Sequence, residues 1–137
     1  MNAEAVAIYS TLQGTTAITS LLAGTTSIYH LQAPEGATDP YIVFSLQGGG
    51  DTNDSPHRVK DHTWFIRAYA TGSNGAATAG SIDDQIDTLL HLNPISITGW
   101  SNLWLARDTD LETVENDATG QQVHMQGGFY RFVVEKP

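Results

Sequence analysis

The residues best suited to chemistry lie in one polar stretch between residues 47 and 61. Within it, Asp51, Asn53 and Asp54 resemble the start of a calcium-binding loop, in which carboxylate and amide oxygens serve as ligands. Such a loop requires glycine at its sixth position and a bidentate glutamate at its twelfth, and this sequence has Pro56 and His62 there. The stretch therefore does not predict a calcium site.

The histidines offer a second kind of chemistry, because a neutral imidazole is a common zinc ligand. His57 and His62 lie on the polar stretch and just after it, and as a pair they could hold a metal ion that assists hydrolysis. However, the five histidines never show the paired helical spacing of a zinc hydrolase, and no serine has the surroundings of a nucleophile elbow. A small metal-dependent hydrolase is therefore the least favoured alternative, and we expect no enzymatic activity and no cofactor.

The same polar stretch, residues 47–61, is predicted to be a long loop that binds partners. Its glycine run and its lack of apolar side chains mean that no burial would offset the entropy cost of ordering it. We expect it to be mobile in the isolated protein and to order against a neighbour. A plain loop that tolerates insertions remains an open alternative. The residues assigned to partner binding are Gly48, Gly49, Gly50, Asp51, Asn53, Asp54, His57, Arg58 and Lys60.

Length and composition indicate a single domain spanning residues 1–137. The net charge is −9 and the chain has only 6 Lys and Arg residues, too few to neutralise a run of phosphates, so sequence-specific nucleic-acid binding is not expected. There is no cysteine, which excludes disulfides and thiolate metal sites. No stretch approaches the about 20 apolar residues of a membrane span, and we expect no membrane partner.

The first half of the chain predicts two helices and a hairpin. Residues 2–12 and 15–24 show helical spacing, and a brief strand follows at 28–31. The apolar run Tyr41, Ile42, Val43, Phe44 is too short for a helix and predicts a strand covered on both faces. Residues 63–70 predict its hairpin partner, with Trp64 and Ile66 on one face.

The second half predicts one long helix and several strands. Apolar residues recur every three or four positions from Ala76 to Leu90, which is typical of an amphipathic helix over a sheet. Short strands are predicted at 95–97, 103–106 and 111–116, and a last strand at 121–135 follows the turn residues 117–120. Gly127 and Gly128 predict a bulge in that last strand. The expected core comprises Tyr41, Val43, Trp64, Ile66, Ile82, Ile86, Leu89 and Phe132.

The acidic residues have structural interpretations. Asp83, Asp84 and Asp87 are expected to favour the start of the long helix and to form its wet face. The later cluster is expected to form a charged hairpin edge that discourages pairing with other chains. It comprises Asp108, Asp110, Glu112, Glu115 and Asp117.

The order of these elements resembles the tail-completion or tail-terminator family of long-tailed bacteriophages. The resemblance rests on the loop Ala33-Pro34-Glu35-Gly36-Ala37, on the strand Asp39-Pro40-Tyr41-Ile42-Val43-Phe44, and on the strand Arg67-Ala68-Tyr69-Ala70 before an alanine-rich helix. It extends to the strand pair around residues 117–120. The resemblance implies an α+β fold, with a twisted, mostly antiparallel sheet that has long hairpins and packs against two or three helices.

The resemblance also implies a structural role and no catalytic residues. A protein of this family would form a homo-hexameric ring that caps the completed tail tube and offers a surface to the head connector or head-completion protein. It would lie in the virion at the head-proximal end of the tail, after assembly in the bacterial host cytoplasm. Another neck or head-tail adaptor protein of similar architecture is the main alternative.

Overall fold

The computed structural model describes residues 2–53 and 56–137, and Asp54 of the predicted partner-binding set lies outside them. Three helices and five strands follow one another along the chain. They are α1 (Asn2–Gln13), α2 (Thr16–Thr19), β1 (Ile28–His30), β2 (Tyr41–Thr52), β3 (Arg58–Thr71), α3 (Gly75–Leu90), β4 (Ser101–Asn116) and β5 (Gln122–Lys136).

The strands form one sheet in the order β1-β2-β3-β5-β4. Only the short β1 runs parallel to its neighbour, β2, and all other pairs are antiparallel. The β2–β3 and β4–β5 hairpins are both long, and β3 and β5 pair without interruption from Arg58 to Thr71. The predicted α+β fold with a mostly antiparallel sheet is confirmed.

The prediction of a long loop at residues 47–61 is wrong, because most of that stretch is paired strand. β2 continues to Thr52 and β3 begins at Arg58, with Gly48 opposite Thr63 and Thr52 opposite Val59. β3 explains the difference: β5 holds it along its other side, so it offers β2 a fixed row of backbone donors and acceptors. Backbone pairing orders the glycines where side-chain burial could not.

One face of the sheet is covered by the helices and carries the main core. The predicted core residues Trp64, Ile66, Ile82, Ile86 and Phe132 are buried there, and Tyr130, which was not predicted, is buried with them. Val43 is also buried, but strand alternation places it and Tyr41 on the opposite face. Tyr41 and Leu89 are only partly buried, so these two core predictions are wrong in degree.

In α1 the buried side differs from the one suggested by apolar spacing alone. Val6 is exposed, and Glu4, Ala5, Ile8 and Leu12 are buried. The inward position of Glu4 follows from two polar partners in β3, which are described below. A buried carboxylate therefore replaces an apolar residue on the core side of this helix.

Two predictions for the second half also differ from the structure. Residues 95–97 form no strand and make only an isolated bridge from Ile97 to Trp100, while 103–106 and 111–116 belong to one strand, β4. The register shifts lie in β4, at Leu103 and Asp108, and in β2, between Leu46 and Gly48, whereas β5 passes Gly127 and Gly128 regularly against β3. These glycines serve close approach instead, because a Cβ on Gly127 would lie 2.6 Å from the Ile66 carbonyl oxygen.

Among the described residues, no helix is both long enough and apolar enough to cross a membrane.

Candidate functional site

The described residues of the predicted partner-binding set all lie at the far end of the β2–β3 hairpin. Asp51 is at the centre of the group: its carboxylate accepts from Arg58 at 3.0 Å and from Lys60 at 3.1 Å. The hydrogen bond from Lys60, followed by that from Arg58, lowers the pKa of Asp51. This hairpin end is therefore held together by one shared carboxylate, and Arg58 keeps 58% of its side-chain surface exposed.

The glycines of the hairpin end have two different roles. Gly49 has φ +116°, and a Cβ there would lie 2.0 Å from the carbonyl oxygen of Asp61, so only glycine fits. A Cβ on Gly48 or Gly50 would meet open space. Residues 48–50 thus form a stretch of strand with no side chains, which another backbone can approach closely.

An ion pair braces the sheet just inside this hairpin end. Arg131 of β5 binds both carboxylate oxygens of Asp61 in β3, at 2.6 to 3.1 Å. The hydrogen bond from Arg131 lowers the pKa of Asp61 and also raises the pKa of Arg131. Both side chains are substantially exposed, so we assign the pair a minor share of the stability.

His57 and His62 do not form the metal-binding pair that the hydrolase alternative required. His62 is buried and its Nδ1 lies 2.6 Å from Glu4 Oε1, while His57 is exposed in the hairpin end. The other oxygen of Glu4 accepts a short hydrogen bond from the indole N–H of Trp64. Across residues 2–53 and 56–137, no group of three or more His, Asp or Glu side chains is placed to hold a metal ion.

This buried network ties the first turn of α1 to β3. Both oxygens of Glu4 are used, and the carboxylate is fully buried, so its desolvation is offset by the partners in β3. The sequence showed only an acidic residue in a first helical turn, where the helix dipole explains it without any partner. No local pattern pointed to His62 and Trp64, which lie about sixty residues further along the chain.

We expect Glu4→Gln to lower the free energy of unfolding by about 1 to 3 kcal/mol. The amide keeps the size of the side chain but loses the charge, and its nitrogen cannot accept a hydrogen bond. Chemical denaturation followed by tryptophan fluorescence would measure the change, with exposed Asn2→Ala in the same helix as the control. Equal stability of the two variants would contradict the role assigned to Glu4.

A second buried network centres on Arg107 of β4, and all five of its N–H groups are used. Two bonds of 2.8 and 2.9 Å run to the carboxylate of Asp83 in α3. The others go to Asp110, the Tyr130 hydroxyl and the Gly127 carbonyl oxygen. Burial opposes the charge of Arg107, but the hydrogen bonds to Asp83 and Tyr130 raise its pKa overall. Burial is also the main cause that raises the pKa of Tyr130.

The expectation that Asp83 belongs to a wet helix face is therefore wrong, because Asp83 is buried against Arg107. Asp84 is exposed as expected. The cluster expected at a hairpin edge does lie on β4 and the following turn, and its members are exposed. Asp110 nevertheless has a specific partner, since it accepts from Arg107 Nε at 2.6 Å.

The sheet face opposite the helices carries a half-buried group of aromatic residues. Tyr41 stacks on Tyr69, and Phe65 meets Phe129 edge to face. The guanidinium of Arg67 lies 4.4 Å above the Phe65 ring and donates to the hydroxyls of Tyr69 and Ser45. Burial raises the pKa of Tyr41. All of these side chains have their partners within the subunit, and none of them is a reactive group.

Part of the outer edge of β2 has no partner among the described residues. β1 pairs only with residues 42–44, and the Leu31 N–H donates to the Phe44 carbonyl oxygen at the end of that pairing. Beyond Phe44 the edge is open. Beside it lies a shallow apolar pocket of about 250 Å³ lined by Ala5, Val6, Tyr9, His30 and Phe44. The neighbouring Val6, Leu31 and Leu46 are exposed. We call Leu46, Val6 and the pocket the β2 edge patch.

The second open feature is the outer end of the β4–β5 hairpin, residues 112–122, which we call the β4–β5 arm. Every residue in it is exposed, including the apolar Val114. The turn at its end is well defined, because Asp117 Oδ1 accepts hydrogen bonds from the Thr119 hydroxyl and from the backbone N–H groups of Thr119 and Gln121. The hydrogen bond from the Thr119 hydroxyl, followed by those from the two backbone groups, lowers the pKa of Asp117. The arm is thus a formed hairpin without a surface to cover.

Taken over the described residues, these features present contact surfaces, and no nucleophile lies beside a base in any of them. The chemistry available is backbone pairing at open strand edges, apolar packing at the β2 edge patch and charge pairing at the β2–β3 hairpin end. These are means of assembly. The arrangement fits a protein whose function is to bind other protein subunits.

Comparison with known proteins agrees with such a role. The family described as tail completion protein gp17 matches residues 6–129 of this chain. No curated protein matches. Among solved structures, a chain from the virion of a native gene transfer agent particle has 17% identity and a TM-score of 0.73, covering 95% of this chain and 92% of its own. A second solved chain has 13% identity and a TM-score of 0.60, covering 96% of this chain and 94% of its own. At these identities the two structures establish similarity of fold.

Proposed function

Because this chain belongs to the tail completion protein gp17 family, we propose that it caps the finished tail tube of a phage particle and provides the surface to which the head joins. The chain is a structural protein of a phage tail or neck. The observation that carries the proposal is the family match, which extends from α1 into β5 and so includes nearly every element of the fold.

We further propose that the protein acts as a ring, with six copies as the expected number. Its partners would be the tail tube protein on one side and the head connector on the other. It would assemble in the host cytoplasm and remain at the head-proximal end of the tail. The open edges at opposite ends of the sheet support a ring, because a contact between two different surfaces of one protein repeats from copy to copy and forms a ring when its rotation closes.

The acidity of the chain also suits this position. A net charge of −9 repels a nucleic-acid backbone, and a collar through which DNA leaves the head gains from a surface to which DNA does not adhere. Solubility alone also favours such a charge.

Deleting the gene and imaging the resulting particles tests the proposal. We expect tails of abnormal length that are not joined to heads, because the tube would have neither a stop nor a joining surface. Complementation with the intact gene is the control. Tails of normal length that fail to join heads would indicate a neck adaptor instead. Normal, joined tails would contradict both functions.

A further inference from the structure

The three helices all pack on one side of the sheet, and we call the other side the uncovered face. An antiparallel sheet that faces water on one side normally places polar side chains there. The central positions of the uncovered face are apolar or aromatic instead. They are Tyr41, Val43, Phe65, Tyr69, Met125 and Phe129. Aromatic residues, methionine and arginine are the types enriched in protein interfaces, so this face has the composition of a contact surface.

Arg67 lies among these residues and differs from the other three arginines of the chain. Across residues 2–53 and 56–137 it is the one arginine without a carboxylate partner. Its guanidinium lies 4.4 Å from the centre of the Phe65 ring and donates to the neutral hydroxyls of Tyr69 and Ser45. These contacts fix the position of the cation and leave its charge unpaired. Such a group is preorganised to bind a carboxylate from outside the subunit.

The outer side of α3 carries the opposite charge on the helix-covered side of the sheet. The exposed residues of α3 are Ala77, Ser81, Asp84, Gln85 and Thr88. Most of them are short, so another surface can approach the helix closely. Asp84 has no ion-pair partner in the part of the chain that the structure describes. A shallow pocket of about 180 Å³ adjoins this side, lined by Leu21, Asn74, Ala77, Thr78 and Ser81.

We propose that the outer side of α3 in one copy packs against the uncovered face of a second copy, with Asp84 paired to Arg67. This inference rests on the ring of the proposed function and names the contact that builds it. The occupant is a second copy because the charges are complementary: one surface holds a cation without a carboxylate, and the other holds a carboxylate without a cation. A helix layer is also a common cover for the apolar face of a sheet.

The two surfaces lie at similar heights on the sheet. A Cβ on Gly80 of α3 would lie 3.2 Å from the Gln126 side chain, so the helix crosses β5 near that residue. Asp84 follows about one turn later, about 6 Å along the helix. On the other side of the sheet, Arg67 pairs with Gly127, the residue next to Gln126. A rotation about an axis parallel to the strands keeps these heights, so it brings Asp84 of one copy close to the level of Arg67 in the next.

The uncovered face is large enough for a stable contact. Its four long strands have 12 to 16 residues each. Strands of that length present a surface of roughly 19 Å by 45 Å, or about 850 Å². Each partner contributes about 800 Å² to a standard stable interface. Because the uncovered face and the α3 side are different surfaces of one protein, their contact repeats from copy to copy and forms a ring when its rotation closes.

Charge reversal tests the contact, with self-association of the full chain measured by sedimentation at rising concentration. We expect Asp84→Arg to weaken association by about tenfold or more, because it places two cations together. The melting temperature should not change, since Asp84 is exposed. Glu35→Arg, at an exposed loop position, makes the same change in net charge and is the control. Combining Asp84→Arg with Arg67→Glu should restore association, because the pair is then reversed.

Cysteine cross-linking identifies the two surfaces, because the chain has no cysteine of its own. Thr88 is on the outer side of α3 and Thr63 is on the uncovered face, so a disulfide between Thr63→Cys and Thr88→Cys can join only two different copies. After oxidation we expect a ladder of linked species, in concentrated protein and in purified particles. The matched pair Thr88→Cys with Thr119→Cys, at the end of the β4–β5 arm, should give no ladder.

Several results would overturn this contact and leave the proposed function standing. They are association that Asp84→Arg does not weaken, a folded double variant that does not regain association, and particles in which the Thr63–Thr88 cross-link is absent. If the unmodified protein sediments as a monomer, the cross-link in particles decides by itself. Failure of the proposed function would appear separately, as normal tails in the gene deletion.

Discussion

Replacing Arg107 with alanine should lower the free energy of unfolding by about 3 to 5 kcal/mol. Both terminal nitrogens of the guanidinium donate N–H hydrogen bonds to the carboxylate of Asp83, and both side chains are about nine-tenths buried. Removing Arg107 leaves the carboxylate of Asp83 desolvated with no opposite charge, which costs much more than the pair itself contributes. Urea denaturation monitored by circular dichroism would measure the loss.

Arg131→Ala is the matched control for this variant. It removes another arginine that binds an aspartate through two nitrogens, but this pair is substantially exposed, so we expect a loss of about 1 kcal/mol or less. A double variant, Arg107→Met with Asp83→Leu, should recover part of the loss because it leaves no unpaired charge. Similar losses for Arg107→Ala and Arg131→Ala would show that the Arg107 network does not link α3 to the sheet.

Ile86→Ala should lower the free energy of unfolding by about 2 to 5 kcal/mol. Ile86 is fully buried at the centre of the face that α3 presents to β3 and β5, so truncation removes three carbons and leaves a cavity. Thermal and urea denaturation would both report the change. Gln85→Ala, on the exposed side of the same helix, is the control. A loss below about 0.5 kcal/mol would mean that α3 does not cover the sheet as described.

The elements that the sequence predicted well are those that local patterns specify. A short stretch of sequence was enough to predict two elements: the helix α3, from its apolar repeat, and the last turn, from residues 117–120. The strand at Ile42 to Phe44 was also recognisable, since only a doubly covered strand places so short an apolar run in a core. The same strand motif also suggested the family to which the chain belongs.

The features that were missed depend on partners far along the chain. Residues 48–50 form strand because they pair with β3, which pairs in turn with β5. The local composition of residues 48–50 gives no sign of this pairing. Asp83 is buried because Arg107, on another element, reaches it with two hydrogen bonds. The partner-binding assignment of the hairpin end remains a prediction, and the structure adds to it a β2 edge that runs beside it.

The position of β5 between β3 and β4 has a consequence for how the chain folds. β5 is an interior strand, and the fifty residues from 72 to 121 separate it from its partner β3, while the β2–β3 hairpin is complete by residue 71. During synthesis, β3 therefore has one paired side and one bare side until β5 emerges. Its buried face, including Trp64 and Ile66, lacks Tyr130 and Phe132 for that time. Long-range pairing of this kind folds slowly and exposes strand edges meanwhile, so the nascent chain passes through a period of high aggregation risk that ends only when β5 inserts.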